Sequence, residues 1–142
     1  KNLSTNRFIF KKMEIINKIQ NINIISYGYI LQNAIKVHEM LKKINIQTGL
    51  INFHCLKPID EKGVIALSKK SKLLIIVEDH NQFGGLGSQI SQILSEKNPT
   101  KIISIHSNDK FGTTGLPDEN LDYLGLSVKK IFNKIKKYAK KK

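Results

Sequence analysis

A glutamate, an aspartate and a histidine stand side by side at Glu78-Asp79-His80, and three residues later comes a glycine-rich turn, Gly84-Gly85-Leu86-Gly87-Ser88. Acid, base and a loop that allows close backbone approach are the raw materials of acid–base or phosphate chemistry. Adjacent residues on an extended chain point to opposite sides, however, so the three ionisable groups cannot all face one site. No serine or cysteine nucleophile is identifiably paired with His80. A carboxylate at a strand end more often fastens a neighbouring loop by hydrogen bonds than performs catalysis. The glycine turn is followed by no Lys-Ser/Thr pair and does not fit GxGxxG, so it carries neither phosphate-loop signature. It reads as a tight turn that lets a helix start pack against a strand end, with a phosphate-cradling loop as the rival. A second loop, Asp109-Lys110-Phe111-Gly112-Thr113-Thr114-Gly115, is rich in turn formers. Two readings stay open for it: part of a docking surface, or an ordinary long loop pinned by Phe111.

These residues need a scaffold, and the hydrophobic pattern supplies one. Leu73-Leu74-Ile75-Ile76-Val77 is an uninterrupted apolar run, as expected of a strand buried on both faces at the centre of a parallel sheet. Further strands are predicted at Met13–Ile16 (a short edge strand), Ile22–Tyr27, Ile46–Phe53 and Lys101–His106. Between them, apolar residues at 30, 34, 37, 41 and 44 put one face on a helix over 29–43. His38 lies beside its polar face, as a solvent-edge or packing residue. Asp60 is placed to cap a helix running to Ser68, and another helix spans 87–97. Pro117 opens a short helix through Leu124 that Gly125 closes. Ser127 is placed to cap a terminal helix whose Val128, Ile131, Phe132, Ile135 and Tyr138 share a face. Strands alternating with helices imply right-handed crossovers and a three-layer α/β/α sandwich. Both special loops follow carboxyl ends of strands, so they are expected at one edge of the sheet.

Composition sets limits. The 142 residues fit one domain with a real core. No apolar run approaches the ~20 residues of a membrane span. The single cysteine, Cys55, excludes an internal disulfide and suits a reducing, cytoplasmic setting. The histidines show no metal-ligand spacing. The net charge of +13 is uneven: residues 129–142 hold eight of the 24 basic residues and no acid. A lysine run of this kind is usually a solvated helix face, so nucleic-acid binding is disfavoured, and a basic anion-binding module stays as a rival.

Taken in order, Ile24-Ile25-Ser26-Tyr27-Gly28, Leu56-Lys57-Pro58-Ile59-Asp60, Val77-Glu78-Asp79-His80 with its glycine turn, Asp109 to Gly115 and Leu124-Gly125-Leu126 resemble the C-terminal domain of transketolase-type, thiamine-diphosphate-dependent enzymes. The likeness covers roughly residues 13–137 and is closest to transketolases, including the C-terminal part of split ones. The C-terminal domains of 1-deoxyxylulose-5-phosphate synthase and of 2-oxo acid dehydrogenase beta subunits are the alternatives. Thr114 departs from the serine expected there, and the N-terminal segment lacks the usual glycine-lysine pair.

The resemblance implies a mostly parallel five-stranded sheet with an antiparallel N-terminal edge strand. It also implies a division into residues 1–12, a linker or the end of a preceding domain, and a domain over 13–142. The whole enzyme would move a two-carbon ketol unit between sugar phosphates, in pentose phosphate chemistry, and would act as a homodimer. Thiamine diphosphate and Mg2+ would be held by N-terminal and middle domains, in the same or a separate chain. None of this chain's residues takes a catalytic, cofactor or metal role. Glu78, Asp79, His80, Gly84, Gly85, Gly87, Asp109, Phe111, Gly112 and Gly115 are expected as loop or interface residues.

Overall fold

A computed structural model describes residues 9–139. Its elements run β1 (Glu14–Asn17), β2 (Ile22–Ser26), α1 (Leu31–Lys43), β3 (Gly49–Asn52), α2 (Glu61–Ser68), β4 (Leu73–Val77), α3 (Leu86–Lys97), β5 (Ile102–Ile105), α4 (Pro117–Tyr123) and α5 (Val128–Ala139). The five strands form one sheet in the order β1-β3-β2-β4-β5. β1 pairs antiparallel with β3, and every other pairing is parallel. The expected mixed sheet is therefore present. β2 rather than β4 is its middle strand, and β4 lies between β2 and β5. The linker reading for 1–12 falls largely outside the described residues.

The period-two alternation of side chains sorts each strand onto two helical layers. Ile24, Leu50, Leu73, Ile75, Val77 and Ile105 pack with Ala34, Val37 and Leu41 of α1 and Ile131 and Ile135 of α5. Ile25, Ile51, Leu74 and Ile76 pack with Val64 and Leu67 of α2 and Leu86, Ile90 and Leu94 of α3. Every residue of β4 is consequently buried, the physical reason its run is apolar without alternation. Each such side chain contributes roughly 1.5–3 kcal/mol of transfer free energy.

Helix ends follow the local chemistry. Asp60 caps α2, accepting from Gly63 N at 3.1 Å, and also binds Met13 N and Lys12 Nζ, both at 3.2 Å. Burial works against ionisation of Asp60, but these donors outweigh it and hold its carboxyl below the usual range. Gly125 (φ +83) closes α4 in a Schellman turn, with Leu126 N donating to Leu121 O and Gly125 N to Asp122 O. Asn45 (φ +60) ends α1 the same way. The chain is thus still turning at residue 46, and β3 begins only at Gly49.

Three sequence expectations change or narrow. Ile44 is not on the buried row of α1, since it lies beyond the last turn and is 41% exposed. Of the two roles expected of His38, packing is the one found, and the side chain is buried. One tautomer satisfies both its neighbours, with Nε2 accepting from Asn17 Nδ2 (3.0 Å) and Nδ1 donating to Thr48 Oγ1 (2.8 Å). Burial depresses its pKa, Lys42 adds to that, and Glu39 opposes it. Ser127 stands at the start of α5, but its hydroxyl donates to Asp122 (2.6 Å), which also pairs with Lys130 (2.9 Å).

Candidate functional site

Because β2, β3, β4 and β5 are parallel, the segments following each of them reach one edge of the sheet, the carboxyl edge. Ligands of open α/β sheets usually bind at this edge. Its centre is Glu78, one residue past β4 and 1% exposed. The Glu78 carboxylate accepts from Leu86 N (2.7 Å) and Gly87 N (2.9 Å), the first N–H groups of α3, and the Tyr27 hydroxyl donates to it from the end of β2. Burial first, then the charge and hydrogen bond of Glu78, push the Tyr27 phenol up to about 12, with a further contribution from Asp79.

The glycines exist for this carboxylate. A Cβ on Gly87 would lie 2.6 Å from Ser104 Oγ and 2.9 Å from Glu78 Oε1, and one on Gly85 would run into the Glu78 carboxyl. Gly84 supplies the left-handed turn at φ +84. Its N–H is bound by Ser88 Oγ (3.1 Å), which in turn donates to Gln82 O (2.9 Å). The donors a phosphate would use are therefore engaged by side chains of the protein, and a negative charge already sits at the helix start. The bonds at Gly84, Leu86 and Gly87 favour the tight-turn reading over the phosphate cradle.

Asp79 and His80 are exposed, whereas Glu78 is buried. His80 Nδ1 lies 3.1 Å from the carbonyl of Asn81. The His80 carbonyl ties the two special loops together. Ser107 reaches it with its N–H (3.1 Å) and its hydroxyl (2.9 Å), the hydroxyl lying also 3.1 Å from Asn81 Oδ1. The second loop continues through Asn108 and Asp109, both left-handed (φ +56 and +54), with Asn108 N donating to His106 Nδ1 at 3.0 Å.

Phe111 does not pin this loop: it is 94% exposed. Polar groups of α4 hold it instead. Asn120 Oδ1 accepts from Thr113 N (3.0 Å), and Glu119 Oε2 accepts from Leu116 N (3.1 Å). Gly112 packs on Asn120 and Gly115 on Glu119, at distances where a side chain would have to displace them. Lys110 adds its ammonium over the Tyr123 ring, 5.3 Å from the centroid.

Beside this edge lies an open cleft of about 440 Å³, lined by Gln82, Phe83, Ser88, Ser91, Ser104 and His106 among others. Burial, then the positive charge of Lys134, lower the His106 pKa, with Glu78 and Asp109 opposing. The cleft thus offers hydroxyls and a neutral imidazole. Among the described residues no three His, Cys, Asp or Glu side chains gather as metal ligands. No helix among them is long and apolar enough to cross a membrane. Sequence reasoning missed Tyr27, Ser107 and Asn120 as the groups that organise the edge.

The fold and this edge define an α/β/α domain whose carboxyl edge is fastened internally. The family model for the transketolase C-terminal domain matches residues 11–131, and the chain belongs to that family. A Methanocaldococcus jannaschii protein named as a transketolase C-terminal section is 33% identical over 136 residues, covering 94% of this chain and 42% of the relative. The 1-deoxy-D-xylulose-5-phosphate synthase of Clostridium tetani is 30% identical over 127 residues, covering 89% of this chain and 21% of that enzyme. A solved split-gene transketolase, an inactive beta4 tetramer, superposes with a TM-score of 0.85 at 25% identity, covering 93% of this chain and 43% of that one. The chain thus spans less than half the length of each of these relatives.

Proposed function

We propose that this chain is the C-terminal assembly domain of a transketolase-like enzyme. That enzyme uses thiamine diphosphate and Mg2+ to transfer a two-carbon ketol unit between sugar phosphates. Residues 13–142 form the domain and 1–12 the connection to what precedes it. The thiamine-binding N-terminal and middle domains lie elsewhere in the same enzyme, which works as a homodimer in the cytoplasm. The cofactor supplies the carbanion chemistry. This chain supplies packing and subunit contacts through the loops that carry Asp79, His80, Asp109 and Phe111.

One observation carries this reading: the buried Glu78 carboxylate occupies the donors of the glycine turn, so the motif that looks most like a cofactor loop is closed to anions. The split-gene relative supports an assembly role, since the protein solved there is a tetramer and inactive. The test compares the chain alone with the whole enzyme, using calorimetric binding of thiamine diphosphate and a coupled ketol-transfer assay. The whole enzyme is expected to bind and turn over, and the chain alone to do neither. Cofactor binding by the chain alone would overturn the assignment.

A further inference from the structure

We propose that the amino edge of the sheet, at the strand ends away from Glu78, carries a binding site for small oligophosphates, anions with two or more linked phosphate groups. Segments 17–21, 43–48, 68–72 and 97–101 each precede a parallel strand, so the topology gathers them at this edge. Together they hold seven lysines and no aspartate or glutamate. All seven lysines are exposed. Flanking positions add Glu39, Lys42 and Glu96, so positive charge stays in clear excess. Among the described residues none of these lysines is paired with a carboxylate.

A concavity of about 470 Å³ opens here between the β1–β2 turn and the turn after α2, lined by Ile15, Lys18, Ile19, Gln20, Asn21 and Lys70. Its size is that of a small-ligand site. Two ammonium groups and two side-chain amides line it, and no carboxylate does. A lysine is a point charge with three donors and suits phosphate, whereas planar carboxylates are usually met by arginine forks. No aromatic ring lines the concavity, so a single nucleic-acid strand would find nothing for its bases to stack on. Nor are the lysines needed to close α2. Its last carbonyls are already taken: Ile65 O by Lys69 N, Leu67 O by Lys70 N and Ser71 Oγ, and Ser68 O by Ser71 N.

The two turns are fixed to each other before any ligand arrives. Asn23, fully buried near the start of β2, accepts from Gln20 N (2.9 Å) and donates to Gln20 O (2.5 Å) and Ser71 Oγ (2.8 Å). Asn21 O accepts from Lys72 N (2.8 Å) and Leu73 N (3.1 Å). Gly49 leaves room for this junction, since a Cβ there would stand 2.0 Å from Asn23 Oδ1. Lys18 and Lys70 therefore rise from backbone held at a set separation, which lowers the ordering cost of binding.

The site is independent of the assembly role, which uses the other edge. Titration calorimetry of the intact chain at low ionic strength tests it, with tripolyphosphate as the probe and ATP as a second probe carrying the same phosphates on a nucleoside. Lys18→Gln combined with Lys70→Gln is expected to weaken tripolyphosphate binding by about tenfold or more, through loss of two charge-assisted contacts. Lys36→Gln combined with Lys62→Gln removes the same charge from exposed positions elsewhere on α1 and α2, and is expected to weaken binding by less than about twofold. Comparable affinity for the two probes supports a site for the phosphate chain itself; tighter ATP binding that is lost in the Lys18 and Lys70 pair supports a nucleotide as its source. Equal weakening by both pairs means a diffuse field and overturns the site. So does the absence of binding at about millimolar tripolyphosphate. A duplex oligonucleotide that binds more tightly than tripolyphosphate at equal phosphate concentration, and loses affinity equally in both pairs, assigns the edge to nucleic acid and overturns the proposal.

Discussion

Replacing Glu78 by alanine tests the claim that the glycine turn is built around a structural carboxylate. The side chain is buried and takes three donors: Leu86 N, Gly87 N and the Tyr27 hydroxyl. Alanine strands two buried backbone N–H groups, each costing about 1–3 kcal/mol. It also removes a negative charge from the positive end of α3, a further loss of up to about 2 kcal/mol. Tyr27 is only half-buried, so water entering beside it offsets part of this. The net expectation is a loss of about 3–5 kcal/mol. For a chain of this length that lowers Tm by about 10–15 °C. Glu78→Gln keeps one acceptor but turns an NH2 toward a donor, and is expected to cost about 2–3 kcal/mol. Urea unfolding followed by circular dichroism reads both. Phenolate absorbance supplies a second readout: Tyr27, held near pKa 12, should titrate at lower pH in Glu78→Ala while staying above 10, because burial persists. A stability loss below about 1 kcal/mol would refute the structural role. So would loss, at unchanged stability, of the ketol transfer proposed for the whole enzyme, because that pattern belongs to a catalytic group.

Gly87→Ala is expected to cost about 1–3 kcal/mol, since its Cβ would meet Ser104 Oγ at 2.6 Å; thermal unfolding reads this, and Ser104→Ala in the same chain should recover part of the loss. Acid should weaken the fold. His38 and His106 both have depressed pKa values in the folded state, so below about pH 6.5 the unfolded chain binds more protons, and their contribution falls as pH drops through the folded values. Urea midpoints between pH 8 and 5 measure this, with a shallower slope expected for His38→Gln. Phe111→Ser is expected to change the stability of the isolated chain by less than about 0.5 kcal/mol, since the ring is almost fully in solvent; a larger loss by the same urea assay would restore the pinning role.

The sheet and helices were legible because apolar period and capping chemistry agree along the chain. The run Leu73–Val77 announced a doubly covered strand, and Asp60 and Gly125 announced helix ends. What was illegible depended on a third partner. His38 looked peripheral from its helix alone, and only Thr48 and Asn17, brought in by the sheet, make its burial tolerable. Phe111 looked like an anchor by residue type, but the anchors are Asn120 and Glu119, whose side chains close on backbone N–H groups that no pattern reveals. The sheet order was equally hidden, since β4 reads the same whether it is third or fourth across the sheet. At the site, Glu78, Asp79 and His80 lie past the end of β4, so their placement depends on the turn and not on the alternation of the strand.

The carboxyl edge therefore presents a physical exchange. In many α/β sheets the N–H groups after an inner strand are left open for a phosphate. Here a glutamate of the same chain fills that position permanently, and glycines at 85 and 87 make room for it. An internal anion cannot dissociate, so the turn keeps its shape whether or not any ligand is near. That constancy is of little use to a cofactor loop, which must admit and release. It suits a docking surface, where ordering loops at the moment of association would subtract from affinity. The tie from Ser107 to the His80 carbonyl extends the same rigidity to the second loop. Phe83 and Phe111 thus project from fixed roots into solvent, an arrangement that exposes apolar area without return unless another surface covers it.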